Sequence, residues 1–284
     1  MRRLIYTNGR GESVALAHAP YFLTKLDGTG AVEAEIQMQV APYQDGATFL
    51  DAKLSPRYLS IEGALHWPGA TPAAINERRQ WLVRVLNPKL GLGLLRYEYE
   101  GGVKEIRAIA ESSPVFPDRE GAPVQRFMIH LVCPDPAWLD PEFRTWKLAS
   151  IVGGFSFPIR LPLSFGRVGQ SARIENPGDL DAPVLIVFRG PLKTPVLENK
   201  TTSKRIKLDQ VVPEGDYLEI NTAFGQKSVT RVSGGSRTNA FHWVAPDSEF
   251  WSLVPGDNEI SYSATEESEA GAVTLEFRPQ YLGV

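Results

Sequence analysis

The sequence predicts a mainly β protein in two parts, a mixed α+β N-terminal half and an all-β C-terminal half of sandwich or jelly-roll type. Three observations carry that expectation. Proline and glycine number 22 and 25 in 284 residues, and they punctuate the chain at the short intervals of strands joined by turns. One segment alone shows clear helical periodicity. The second half is a series of short apolar runs separated by turn phrases such as Pro213-Glu214-Gly215-Asp216, Gly234-Gly235 and Pro255-Gly256-Asp257-Asn258.

In the first half, extended segments are expected at Leu4–Tyr6, Tyr21–Leu26 and Ile36–Ala41. In the third, Ile36, Met38 and Val40 alternate with Gln37 and Gln39, the period of a half-buried strand. Phe49 to Ile61 is extended too, broken at Ser55-Pro56. The helix, over about residues 72–87, begins at Thr71-Pro72, a capping hydroxyl followed by a proline where no amide hydrogen is needed. Ile75, Leu82, Val85 and Leu86 form its apolar stripe, flanked by Trp81, and Asn87-Pro88 ends it. A hairpin over about residues 95–110 follows, with Tyr97 and Tyr99 alternating with glutamates and Gly101-Gly102 at the turn. The two tyrosines fit cross-strand packing better than a ligand platform. A strand at Gln125–Val132 then stops at Cys133-Pro134-Asp135-Pro136. Leu139 to Pro162 reads as the connection between domains, with the boundary set at residues 150 and 151.

Strands in the second half are expected at Ala172–Glu175, Val184–Phe188, Ile206–Leu208, Tyr217–Thr222, Ser228–Val232, Asn258–Tyr262 and Val273–Phe277. The last has one dry face (Val273, Leu275, Phe277) and one wet face (Thr274, Glu276, Arg278). Asn176-Pro177-Gly178-Asp179 runs straight into the apolar Val184–Phe188, as expected of a turn that drops a central strand between two buried faces. Lys204-Arg205-Ile206-Lys207 reads as the solvated face of a strand.

A net charge of -3 argues against general nucleic-acid binding, which needs a basic face. The single cysteine, Cys133, excludes an internal disulfide and a thiolate metal cluster. The four histidines match no metal-binding spacing, and His130 with Cys133 supplies two ligands where a structural zinc needs four. No nucleophile elbow or phosphate-binding loop occurs. Gly91-Leu92-Gly93 lacks a third glycine and follows a helix instead of opening one. Neither catalytic residues, a metal site nor a cofactor are therefore expected. Two arginines open the chain, but Asn8, Arg10, Glu12 and Ser13 break the apolar run behind them, so cytoplasmic synthesis without export or membrane insertion is expected. Asn199-Lys200-Thr201 matches a glycosylation sequon, which carries little weight without export. Phe241, Trp243, Phe250 and Trp251 gather beside the segment Gly225 to Asn239, read as a long loop. Core filling explains them best, with Phe241, Trp243 and Trp251 the residues to test for glycan stacking.

Taken in order, several phrases resemble the distal tail proteins of long-tailed bacteriophages. They are LVCPDPAW (131 to 138), ENPGDLDAPVLIVFRG (175 to 190), EGDYLEINTAFG (214 to 225), FWSLVPGDNEISY (250 to 262) and the terminal VTLEFRPQYLGV. The resemblance implies a ring-forming N-terminal domain over residues 1–150, combining a β-sandwich, one helix and a hairpin, and a galectin-like β-sandwich over 151–284. It implies a non-enzymatic hub at the virion tail tip, a hexameric ring whose partners are the tail tube protein, the tape-measure protein, the tail-associated lysin or fibre protein and receptor-binding proteins. The ring channel would pass DNA without reading its sequence. The helix and hairpin, through Trp81, Tyr97, Tyr99 and Val103, are the expected subunit contacts. The alternative is a carbohydrate-binding β-sandwich that adheres to cell-surface glycans. An enzyme acting on cell-wall glycans finds no supporting motif.

Overall fold

The computed structural model describes residues 2–30, 32–118, 124–149, 170–264 and 271–284. The expected domain boundary and much of the connecting stretch lie in 150–169, outside the described residues. Two compact units are present. The first comprises Met1–Pro141 with Tyr281–Val284, and the second Glu142–Gln280.

In the first unit the strands are β1 (Arg3–Thr7), β2 (Ser13–Leu16), β3 (Tyr21–Asp27), β4 (Ala34–Gln39), β5 (Thr48–Leu54) and β6 (Arg57–Leu65). After the helix α1 (Pro72–Val85) come β7 (Gly93–Tyr99), β8 (Gly102–Ala110), β9 (Gln125–Cys133) and β10 (Trp138–Leu139). The sheet runs β2-β1-β7-β8-β9-β6-β3, with β10 beside β8. It curls until its end strands meet at a bridge between Ala17 and Phe22. The Thr71 hydroxyl accepts from the Ala74 amide at 3.2 Å, so the helix starts where its capping chemistry dictates. The stripe Leu82, Val85 and Leu86 packs into the core with Leu4, Tyr6, Leu95, Phe127 and Trp138. The hairpin β7–β8 lies inside this sheet, since β7 pairs with β1 and β8 with β9.

β4 and β5 stand apart, pairing only with each other. The alternation of Ile36, Met38 and Val40 is therefore not that of a half-buried strand. The three side chains are 57%, 61% and 65% exposed. The period of two is correct, but the face it describes stays more than half exposed.

The second unit holds β11 (Arg144–Ala149), β12 (Gln170–Asn176), β13 (Ala182–Arg189), β14 (Leu192–Lys193), β15 (Val196–Asn199) and β16 (Lys204–Lys207). It continues with β17 (Val211–Val212), β18 (Tyr217–Asn221), β19 (Ser228–Ser233), β20 (Ser236–Asn239), β21 (Ser252–Leu253), β22 (Gly256–Ser263) and β23 (Ala272–Phe277). One sheet runs β11-β23-β13-β18-β19-β20 and another β12-β22-β15-β16. Ile186, Phe188, Leu218 and Leu275 of the first sheet and Ile174, Leu197, Ile206 and Ile260 of the second share one core, a sandwich in which burial rather than local propensity sets the register. β13 lies between β18 and β23, the central position expected of Val184–Phe188. β11 pairs along its length with β23, so part of the stretch read as a connection is an edge strand. Gly225 to Asn239 is likewise no long loop, because β19 and β20 fold there into a hairpin.

Two groups of buried polar side chains hold the loops. In the first unit Arg57, 2% exposed, donates to the carbonyls of Pro136 (2.8 Å), Gly28 (2.6 Å), Thr29 (3.1 Å) and Leu282. Truncating it strands buried carbonyls at a cost of about 1–3 kcal/mol each where water cannot replace the donor. Arg57→Met is therefore expected to lower the unfolding free energy by about 3 kcal/mol, measured by urea titration of tryptophan fluorescence.

Across the β6–β9 pair from Arg57 lies Cys133. Burial pushes its thiol up to about 12, a shift that Arg57 opposes and Asp135 adds to. The folded state thus keeps its proton where the unfolded chain has lost it. This contribution to stability is complete below the unfolded thiol's range, about pH 8.5, and is lost as pH rises toward 12. A thiol reagent at pH 8 is expected to leave the native protein unmodified and to label the one cysteine once guanidinium unfolds the chain.

Candidate interface surfaces

The first candidate surface is the arm formed by β4 and β5. Cross-strand partners on an antiparallel pair share a face. The pairs Ala34–Leu54, Ile36–Ala52 and Met38–Phe49 make one face wholly apolar, whereas Glu35–Lys53, Gln37–Asp51 and Gln39–Thr48 make the other polar. The register shifts between Gln37 and Met38, and this irregularity sets Phe49 opposite Met38. Met38 is 61% and Phe49 62% exposed. At the tip, Tyr43 is fully exposed in the left-handed region at φ 65°, a conformation that costs a large side chain energy. Gln44 steadies this turn by accepting from the Ala41 amide at 3.0 Å and donating to the Thr48 hydroxyl at 3.1 Å. A lone two-stranded hairpin is marginal in water. A dry face on such an arm is a surface built to be covered.

The second surface is a groove of ~540 Å³ along the outer side of α1, lined by Asn76, Arg79, Gln80, Val83, Arg84 and Phe116. The Arg79 guanidinium lies over the Phe116 ring at 4.7 Å, and Arg84 pairs with Glu12 at 3.0 Å. The lining joins the apolar Val83 and Phe116 to the cationic Arg79 and Arg84, and no carboxylate is among the six.

The residues expected to make subunit contacts are dispersed. Tyr97 is buried, stacked on Tyr99 at 5.1 Å and tilted against Trp138 at 6.2 Å, packing in the core while lining a polar cleft. Tyr99 borders the same cleft, of ~390 Å³, with Arg2, Thr29 and Glu100. Trp81 packs on the core from the inner flank of α1, and Val103 is half-buried beside the Gly101-Gly102 turn. On the β7 side the hairpin edge is taken by β1, and on the β8 side β9 pairs with Ile109 and Ala110 and β10 with Glu105. Sequence reasoning missed the arm because the signal was the cross-strand pairing of the two segments, which neither strand shows alone.

In the second unit the aromatic cluster divides. Trp251 is 2% exposed within the core, which removes it as a glycan contact. Trp243 packs on that core with Arg231 over its ring at 5.2 Å. Phe241 is exposed and stacks on Phe250 at 5.6 Å, and Lys227 lies over Phe250 at 5.6 Å. Lys204 and Lys207 of β16 face Glu249 and Asp209 at 3.9 Å and 3.0 Å, so this basic run is neutralised on its own surface. Among the described residues no three histidine, cysteine or acidic side chains gather to hold a metal ion, and no helix is long and apolar enough to cross a membrane.

Residues 177–281 match the family model described as siphovirus-type tail component, C-terminal domain, and residues 11–133 match phage tail protein RIFT-related domain. The chain belongs to the siphophage distal tail protein family. It is a phage tail component. Its fold follows that of SPP1 Dit, a protein described as a paradigm of the hub adsorption apparatus in phages infecting Gram-positive bacteria. That likeness has 13% identity and a TM-score of 0.71 over 98% of this chain and 99% of that one. The activated baseplate of phage p2 contains a similar chain, at 12% identity with full coverage of both, with a TM-score of 0.55 in its strontium form and 0.50 in its calcium form. No curated protein sequence matches.

The division of the aromatic cluster is testable. Trp251→Ala is expected to cost about 3–5 kcal/mol by denaturant unfolding, and Phe241→Ala to stay within about 0.5 kcal/mol of wild type.

Proposed function

We propose that this tail component is a non-enzymatic hub scaffold whose copies close into a hexameric ring at the tail tip. The first unit forms the ring, and the second, galectin-like in type, sits on its outer side. The ring joins the tail tube protein above to the tail-associated lysin or fibre protein below. The tape-measure protein ends at it, receptor-binding proteins attach at its periphery, and its channel passes DNA during delivery.

The observation that carries this reading is the coexistence of the family match with an uncovered apolar face. A subunit that worked alone would have no physical reason to hold Ile36, Met38 and Phe49 in water. A chain that repeats itself around an axis covers that face with each addition.

A second reading, glycan contact by the outer unit, is favoured by the exposed Phe241–Phe250 stack. A glycan array in which saturable binding disappears in Phe241→Ala would support it.

Light scattering of the purified protein is expected to give six copies of 31.4 kDa, about 188 kDa, and negative-stain images of the same sample to show sixfold rings with an open centre. A monomer at all accessible concentrations would overturn the ring.

A further inference from the structure

The arm and the α1 groove are complementary in shape of surface, polarity and charge, and both belong to the same chain. We propose that the dry face of the β4–β5 arm of one copy seats in the α1 groove of the next copy. This rests on the ring reading and specifies the contact that closes it.

The argument begins with what each surface lacks. The arm presents Ile36, Met38, Phe49 and Leu54 on one side, 57%, 61%, 62% and 40% exposed. The groove presents Val83 and the Phe116 ring, Val83 being 37% exposed. Each is an apolar surface of a kind that soluble chains keep small unless it is an interface.

Charge then selects the partner. Between Glu33 and Leu54 the arm carries Glu33, Glu35, Asp45 and Asp51 against the single cation Lys53. The groove carries Arg79, and Arg84 paired with Glu12 at 3.0 Å, and no acid is among its six lining residues, so Arg79 is the cation it offers an incoming acid. Two arms facing each other would bring like charges together, which disfavours a symmetric arm-to-arm dimer. An acidic arm entering a basic groove steers the approach and fixes its direction.

Symmetry supplies the last step. Two different patches on one chain that fit each other make a head-to-tail contact, which closes into a ring when the rotation per subunit closes, as the ring reading requires, and runs on as a filament when it does not. Tyr43, in the turn between β4 and β5, is fully exposed and adds a large aromatic surface to the arm.

The test uses the full chain, because Cys133 is fully buried and leaves engineered thiols as the reactive ones. Met38→Cys and Gln80→Cys proteins are prepared separately, mixed and oxidised. The mixture is expected to yield a covalent dimer that neither variant yields alone, and the double variant a ladder of linked subunits extending to the ring. Arg79→Glu is expected to raise the concentration at which rings half-form by about tenfold. Rings that persist without the mixed cross-link overturn the arm assignment and leave the ring standing. Met38→Cys dimerising with itself overturns it in favour of paired arms. Neither rings nor cross-links would overturn both.

Discussion

A guanidinium buried to 2% exposure must have its donors met, and Arg57 meets them with backbone carbonyls from three distant segments. Gly28 and Thr29 follow β3, Pro136 follows β9, and Leu282 belongs to the terminal tail. Trp138 adds to the same knot, its indole donating to the Thr29 carbonyl at 3.1 Å with the Arg57 guanidinium 5.9 Å from its ring centre. Carbonyls are suited to this task because they accept hydrogen bonds without adding an ionisable group to be desolvated. The rest of the first unit depends on this fastening. The arm follows β3 in the chain, and among the described residues its strands pair only with each other. The Ser55 amide bonded to the Glu33 carbonyl at 2.9 Å and the anchored Gly28–Thr29 turn are what orient it.

The second unit solves the same problem with neutral amides. Asn176, Asn199 and Asn258 are each completely buried. Asn176 donates to the carbonyls of Leu180 and Leu253, both at 2.9 Å, while its own oxygen accepts from the Gly178 amide at 3.0 Å. Asn258 accepts from the Val254 amide at 3.0 Å and from the Asn199 side chain at 3.3 Å. Each asparagine substitutes for strand pairing where the chain turns at the sandwich end, which is why turn phrases stand beside dry strands in this sequence. Sheets fixed in this way hold loops in place without a disulfide, an option closed to a chain with one cysteine.

What was legible in the sequence was whatever local chemistry decides. Thr71-Pro72 and Asn87-Pro88 bound the helix because caps and prolines act within one turn, and the apolar runs of the second half lie where their strands lie. What was not legible depends on the third dimension. Ile36, Met38 and Val40 show the same alternation as Val273, Leu275 and Phe277, yet one set is exposed and the other fully buried. Period reports that a face is dry, and only the fold reports whether anything lies on it. Trp251 and Phe241 are ten residues apart and chemically alike, but one fills the core and the other stacks outside it. Arg144–Ala149 carries polar residues suited to a sheet edge, so a partner strand and not composition makes it β.

The contrast between those two dry faces also bears on how a folded subunit can keep an apolar face in water. Burying the arm's face within its own unit would stabilise the monomer and remove the reason to assemble. Spreading it over a broad sheet would enlarge the apolar patch left in water. The chain does neither. It confines the exposed apolar surface to one short, two-stranded arm whose other face carries Glu35, Gln37, Asp51 and Lys53. The net negative charge along that arm opposes random pairing of arms, and Arg79 of α1 offers it one favourable exit. Stability of the subunit and specificity of the contact are thus assigned to different residues. Arg57 and the buried asparagines supply the first, while the arm, which touches none of the core, remains free to supply the second.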